Sequence, residues 1–129
     1  MTDRPTLQPG PDHPITIQAS EEQLIVSVDG RVVADTHDAL ILREANYPPV
    51  PYIPLKDVDT SLLQANDHST YCPYKGQCSY YSIPIGGEGS VNAVWEYKQP
   101  HDAVIQIKDH VAFYPDRVEN IERRAIPTS

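Results

Sequence analysis

The sequence predicts one mostly-β domain, and three observations carry that prediction. Apolar residues recur at every second position over most of the chain, which is the period of a half-buried strand. Thirteen prolines against six glycines interrupt helices and confine strands. Eight tyrosines and many Val and Ile suit a pleated surface with one face covered. At 129 residues the chain has the size of a single domain and needs no disulfide staples to bury a core.

In order along the chain, residues 1–14 hold Pro5, Pro9, Pro11 and Pro14 with few apolar groups. They read as an extended, partly ordered arm. Ile15 and Ile17 alternate with Thr16 and Gln18, and Leu24, Val26 and Val28 alternate with Ile25, Ser27 and Asp29. Asp29-Gly30 then signals a hairpin with positive φ, returning through Arg31–Thr36. After a turn at His37-Asp38, Ala39–Glu44 forms another strand. Tyr47–Pro54 carries four prolines, so the reading is an edge or a stiff loop rather than a central strand. Asp57 is placed to cap a short helix or 3₁₀ turn over 57–63. Strands follow at 68–72, 77–85 and 90–97, the last two closed by Gly86-Gly87-Glu88-Gly89. Ala103–Ile107 and Val111–Tyr114 are a final pair around Lys108-Asp109. The organisation expected is an arm (1–14), one β domain (15–119) and a C-terminal tail (120–129).

The formal net charge of −8 comes from ten basic and eighteen acidic side chains. No basic stripe forms, so nucleic acid and anionic membrane surfaces are not the expected partners. No stretch approaches the roughly 20 apolar residues of a spanning helix, and Met1–Pro5 has no apolar signal core. The expected location is the cytoplasm. The expected partner is a small-molecule ligand, and an exposed sheet edge leaves room for a homodimer.

The segments Val50-Pro51-Tyr52-Ile53-Pro54, Asp57-Val58, Thr70-Tyr71-Cys72-Pro73-Tyr74-Lys75-Gly76, Ala93-Val94-Trp95-Glu96-Tyr97 and Ala112-Phe113-Tyr114-Pro115 resemble, in this order, a bacterial family known as domain of unknown function 427, also labelled nucleotidyltransferase-like. The resemblance implies two antiparallel sheets leaning together like a tent, similar to the drug-binding domain of cereblon, with an opening between them. The label does not bring its chemistry. Such enzymes hold Mg²⁺ with closely spaced carboxylates and cradle phosphates in a Gly-rich turn before a helix, and Gly86–Gly89 sits in a hairpin.

The chemistry-bearing residues support three functions. A small-molecule pocket would draw Tyr52, Trp95 and Tyr97 as flat walls, with Arg43, Lys75 and Glu44 as polar anchors. An enzyme would use Cys72 as nucleophile activated by Lys75, because a nearby ammonium favours the thiolate, or Glu44 with Arg43 in acid–base work. A protein-interaction module would use the proline-rich stretch. Adjacent residues on a strand face opposite ways, so Arg43 and Glu44 diverge. Cys72 and Cys78 are six positions apart, wider than structural zinc spacing, and His68, His101 and His110 are scattered; no metal site is expected and no cofactor is indicated. A Cys72–Cys78 disulfide is conceivable across adjacent strands but does not suit a reducing compartment.

Overall fold

The computed structural model describes residues 5–126. Ten strands form in chain order: β1 (Ile15–Ala19), β2 (Glu22–Val28), β3 (Arg31–Thr36), β4 (Leu40–Glu44), β5 (Val50–Pro54), β6 (Gln64–Cys72), β7 (Gly76–Ser82), β8 (Val94–Glu96), β9 (His110–Phe113) and β10 (Asn120–Ala125). They make two antiparallel sheets, a seven-stranded one ordered β1-β4-β5-β9-β8-β7-β6 and a three-stranded one ordered β10-β2-β3. Among the described residues the helical pieces are all 3₁₀, and no helix is long and apolar enough to cross a membrane.

Period-two patterning divides the apolar residues between two cores. Leu24, Val26, Val28 and Val33 of the small sheet face Ile53, Val94, Val111 and Phe113 of the large one, all buried. The intervening residues of the large sheet point the other way. Leu42, Tyr52, Cys78, Tyr80, Tyr97 and Ala112 build a second core on the face turned away from the small sheet. Asp29 and Gly30 both take positive φ (50° and 76°), the geometry that matches a two-residue turn to the strand twist.

Several segments depart from the sequence reading, each for a local reason. β5 lies inside the large sheet despite Pro51 and Pro54. Its ladder to β4 covers residues 50–52 and its ladder to β9 covers 53–54, so each part is paired on one side only. A proline can then turn its missing N–H away from the paired side.

Residues 102–107 form a 3₁₀ segment instead of a strand. Two short turns meet at Val104, whose backbone is non-helical; Val104 and Ile107 are buried while Ile105 is exposed. This segment covers the second core. Gly86–Gly89 belongs to a stretch of two 3₁₀ turns, Pro84–Ser90, kinked at Gly87 (φ 63°) and closed by the Ile83 N–H on the Ser90 carbonyl. The flanking strands are correspondingly shorter than expected.

The expected piece at 57–63 resolves into 3₁₀ turns at Leu55–Asp57 and Thr60–Leu62. Asp59 caps the second, accepting from the Ser61 N–H. Asp57 instead accepts from the Thr36 hydroxyl at 2.7 Å, tying this connection to β3. The expected C-terminal tail contains β10, paired with β2 over its whole length. Its sequence reads as a tail because Glu122, Arg123 and Arg124 dominate it. Charged residues are what keep such an edge strand from pairing further.

Candidate functional site

The second core opens into a cavity of about 200 Å³ lined by Leu42, Glu44, Val50, Tyr52, Lys75, Tyr80, Trp95, Tyr97 and Tyr114. Sheet alternation explains its content. Leu42 and Glu44 are two apart on β4, Val50 and Tyr52 two apart on the neighbouring β5, and Trp95 comes from β8, which β9 separates from β5. Each therefore presents its side chain to one face. The cavity lies on the face away from the small sheet, not in the space between the two sheets that the sequence reading anticipated.

The walls are aromatic rings in contact with one another. Trp95 meets Tyr52 with centroids 6.3 Å apart at 86°, and its indole N–H donates to the Tyr52 hydroxyl at 3.2 Å. Tyr114 leans on Trp95 at 4.4 Å and 45°. The Tyr80 hydroxyl lies 2.9 Å from that of Thr70, which braces its ring from the outer strand. Such pairs fix ring orientation as well as burying area.

One polar chain enters this apolar surround. Lys75, only 8% exposed, donates from Nζ to Glu44 Oε1, and lies 5.9 Å from the Tyr97 ring centroid. Glu44 Oε2 is 2.7 Å from His13 Nε2. Burial pushes the Glu44 carboxyl upward, but hydrogen bonds from Lys75 and His13 outweigh it and hold the group below the usual carboxylate range. The local turn makes this reachable: Gly76 takes φ +116° beside Lys75, and a Cβ there would stand 3.2 Å from the Gln99 carbonyl oxygen.

His13 belongs to the amino-terminal arm, which packs against the site. The imidazole stacks on Tyr74 at 3.9 Å and 5°. Leu7 N–H donates to the Pro73 carbonyl at 3.0 Å, and the Tyr71 hydroxyl donates to the Pro5 carbonyl at 2.7 Å. Residues 1–4 of the expected arm lie outside the described residues.

Tyr52, Lys75, Trp95, Tyr97 and Glu44, named from the sequence, meet in this cavity. Arg43 does not. It faces the opposite side of β4 and lines a separate groove of about 510 Å³ with Gln18, Glu22, Pro51 and Arg123. The Arg43–Glu44 acid–base pair is thus split across the sheet. Cys72 is partly buried against the second core, and the ammonium cast as its activator is engaged by Glu44. Both cysteines are free. Thr70 pairs with Cys78 and Gly76 with Cys72, so the thiols are diagonal, beyond the usual span of a disulfide. Burial raises the pKa of Cys78, against hydrogen bonds from Tyr80, Thr70 and Tyr97.

The histidines disperse. His68 lies against Tyr80, His110 contacts the Lys108 carbonyl, and His101 contacts Tyr71. Among the described residues no three His, Cys, Asp or Glu gather around a common point. Two wall residues, Tyr80 and Tyr114, share strand or near-strand positions with residues already flagged. His13 carries no local signal at all.

Burial raises the phenol pKa of Tyr52, Tyr97 and Tyr81, the last helped by its hydrogen bond to Glu96, and brings Tyr80 to about 12. A folded-state pKa above the unfolded value gives stability that is complete below the unfolded pKa and is lost as pH rises through the folded one. Stability should therefore fall above about pH 10, where unfolded tyrosines ionise. Absorbance and circular dichroism on raising the pH should show most tyrosinate appearing together with unfolding. Full ionisation in a still-folded protein would contradict the burial assigned to these rings.

The fold and cavity define a class: a small antiparallel β domain with an aromatic cup and one neutralised ion pair at its side. The chain belongs to the family described as domain of unknown function (DUF427), whose sequence model, labelled NTP_transf_9, matches residues 16–124. No curated protein matches it.

Proposed function

We propose that this chain is a small-molecule-binding domain and that its ligand is a compact planar molecule seated against Tyr52, Trp95 and Tyr97, with Lys75 and Glu44 at the rim. The observation that carries the reading is the convergence of five aromatic side chains and a nearly buried ion pair on one open cavity. Ligand sites are typically concave, mostly apolar and supplied with a few placed polar groups. At about 200 Å³ the space suits a one- or two-ring compound rather than a dinucleotide. We place this activity in the bacterial cytoplasm. The acidic surface (net −8) speaks against nucleic acid or membrane as partner.

A thermal-shift screen tests this, with nucleosides, nucleotides, common cofactors, cyclic amides and sugar phosphates. A ligand at about a hundred times its dissociation constant adds roughly 2.7 kcal/mol, several degrees for a domain of this size. The expected result is a hit among the planar compounds that disappears in Trp95→Ala. A flat panel, or a hit indifferent to Trp95→Ala, would overturn the assignment.

A further inference from the structure

We propose that the aromatic cavity selects uncharged ligands, and that Glu44 is the residue that sets this selectivity. The inference rests on the small-molecule reading above and deepens it by naming the charge class of the ligand.

Only two of the cavity's lining side chains are ionic, Lys75 and Glu44, and they are of opposite sign and hydrogen-bonded to each other. Their side chains are 11% and 12% exposed. The charge of the ammonium is thus already countered by an internal carboxylate, and the carboxylate has its second oxygen on His13. An anionic ligand entering the cavity would lose its hydration and find Lys75 occupied, with Glu44 repelling it. A cationic ligand would find Glu44 engaged on both oxygens. Burying a charge without a free partner is strongly unfavourable, so both are rejected. A neutral ring loses little hydration and gains the aromatic walls. Arg117 sits over the outer ring Tyr114, and its side chain is exposed, where solvent and salt screen it.

The arrangement makes Glu44 a built-in substitute for a ligand carboxylate. Removing its charge frees the Lys75 ammonium to bind an anion, and removing both charges leaves a neutral cavity.

The probes are benzamide and benzoate, which share shape and differ in charge. The readout is the emission of Trp95, the single tryptophan of the chain and part of the cavity wall. Hydrogen bonds to charged groups are worth enough to move affinity by about tenfold or more. Wild type should therefore favour benzamide over benzoate by at least about tenfold at neutral pH. Glu44→Gln should reverse that order, and the double variant Glu44→Gln/Lys75→Met should favour benzamide again.

Benzoate binding to wild type as tightly as benzamide would overturn the proposal without any variant. So would an unchanged preference in Glu44→Gln. If neither probe perturbs Trp95 in any of the three proteins, the small-molecule reading itself fails, and that outcome is distinct from binding without charge discrimination.

Discussion

Lys75→Met is expected to destabilise the fold by about 3 kcal/mol at neutral pH, the scale for removing one partner of a buried ion pair. The variant leaves the Glu44 carboxylate largely out of water with His13 beside it. The cost comes from the stranded charge rather than from the lost attraction. For that reason Glu44→Gln/Lys75→Met should recover most of it, since two neutral groups of similar shape need no counter-charge. Chemical denaturation of the two variants decides the matter; equal losses would mean that Lys75 acts mainly through its packing.

The pH dependence has a definite sign. In the wild type the Glu44 pKa is depressed, so its contribution is present above the ordinary carboxylate range and lost as pH falls through the folded value. In Lys75→Met the main cause of the depression is gone. The acid-side loss should shrink, and the variant should draw closer to wild type as the pH is lowered.

Tyr52→Ala is expected to cost about 4 kcal/mol, in the range for deleting a buried aromatic ring. The ring is 2% exposed and touches both the second core and the cavity. Its hydroxyl also accepts the Trp95 indole N–H, which the truncation leaves without that partner. For a domain of this length the midpoint should fall by more than about 10 °C. Tyr52→Phe keeps the ring and loses only the hydrogen bond, at about 1 kcal/mol. A Phe variant as unstable as the Ala variant would show that the hydroxyl, not the ring volume, holds this wall in place.

Much of the fold was legible because its signals are local. The alternation of Leu24, Val26 and Val28, the Asp29-Gly30 turn and the Trp95 strand all state their structure within a few residues. What stayed hidden depends on neighbours. β5 looked barred from the sheet interior by Pro51 and Pro54, and only the divided pairing with β4 and β9 shows how it is accommodated. The run Ala103–Ile107 is short and apolar, and such a run has no period of its own; the hydrogen bonds from the Val104 N–H to the His101 carbonyl and from the Lys108 N–H to the Ile105 carbonyl make it 3₁₀ turns. β10 places Ile121 on the first core, and its pairing with β2 is a long-range event.

The candidate site follows the same division. Tyr52, Trp95, Tyr97 and Lys75 were readable as aromatic and basic positions in or beside strands. Strand alternation separates Glu44 from Arg43, and the structure puts only Glu44 in the cavity. His13 reaches Glu44 across thirty-one positions of sequence, a distance over which no local pattern reports.

The central claim is that this aromatic cavity is where the chain meets its ligand. The most direct measurement is two-dimensional amide and indole NMR of the labelled protein, titrated with the compound that gives the largest thermal shift. The account predicts perturbations gathered on the Trp95 indole N–H and on the amides of Glu44, Tyr52, Lys75 and Tyr97. Perturbations centred on Arg43 and Arg123 in the groove between the sheets, with the Trp95 indole unmoved, would contradict it.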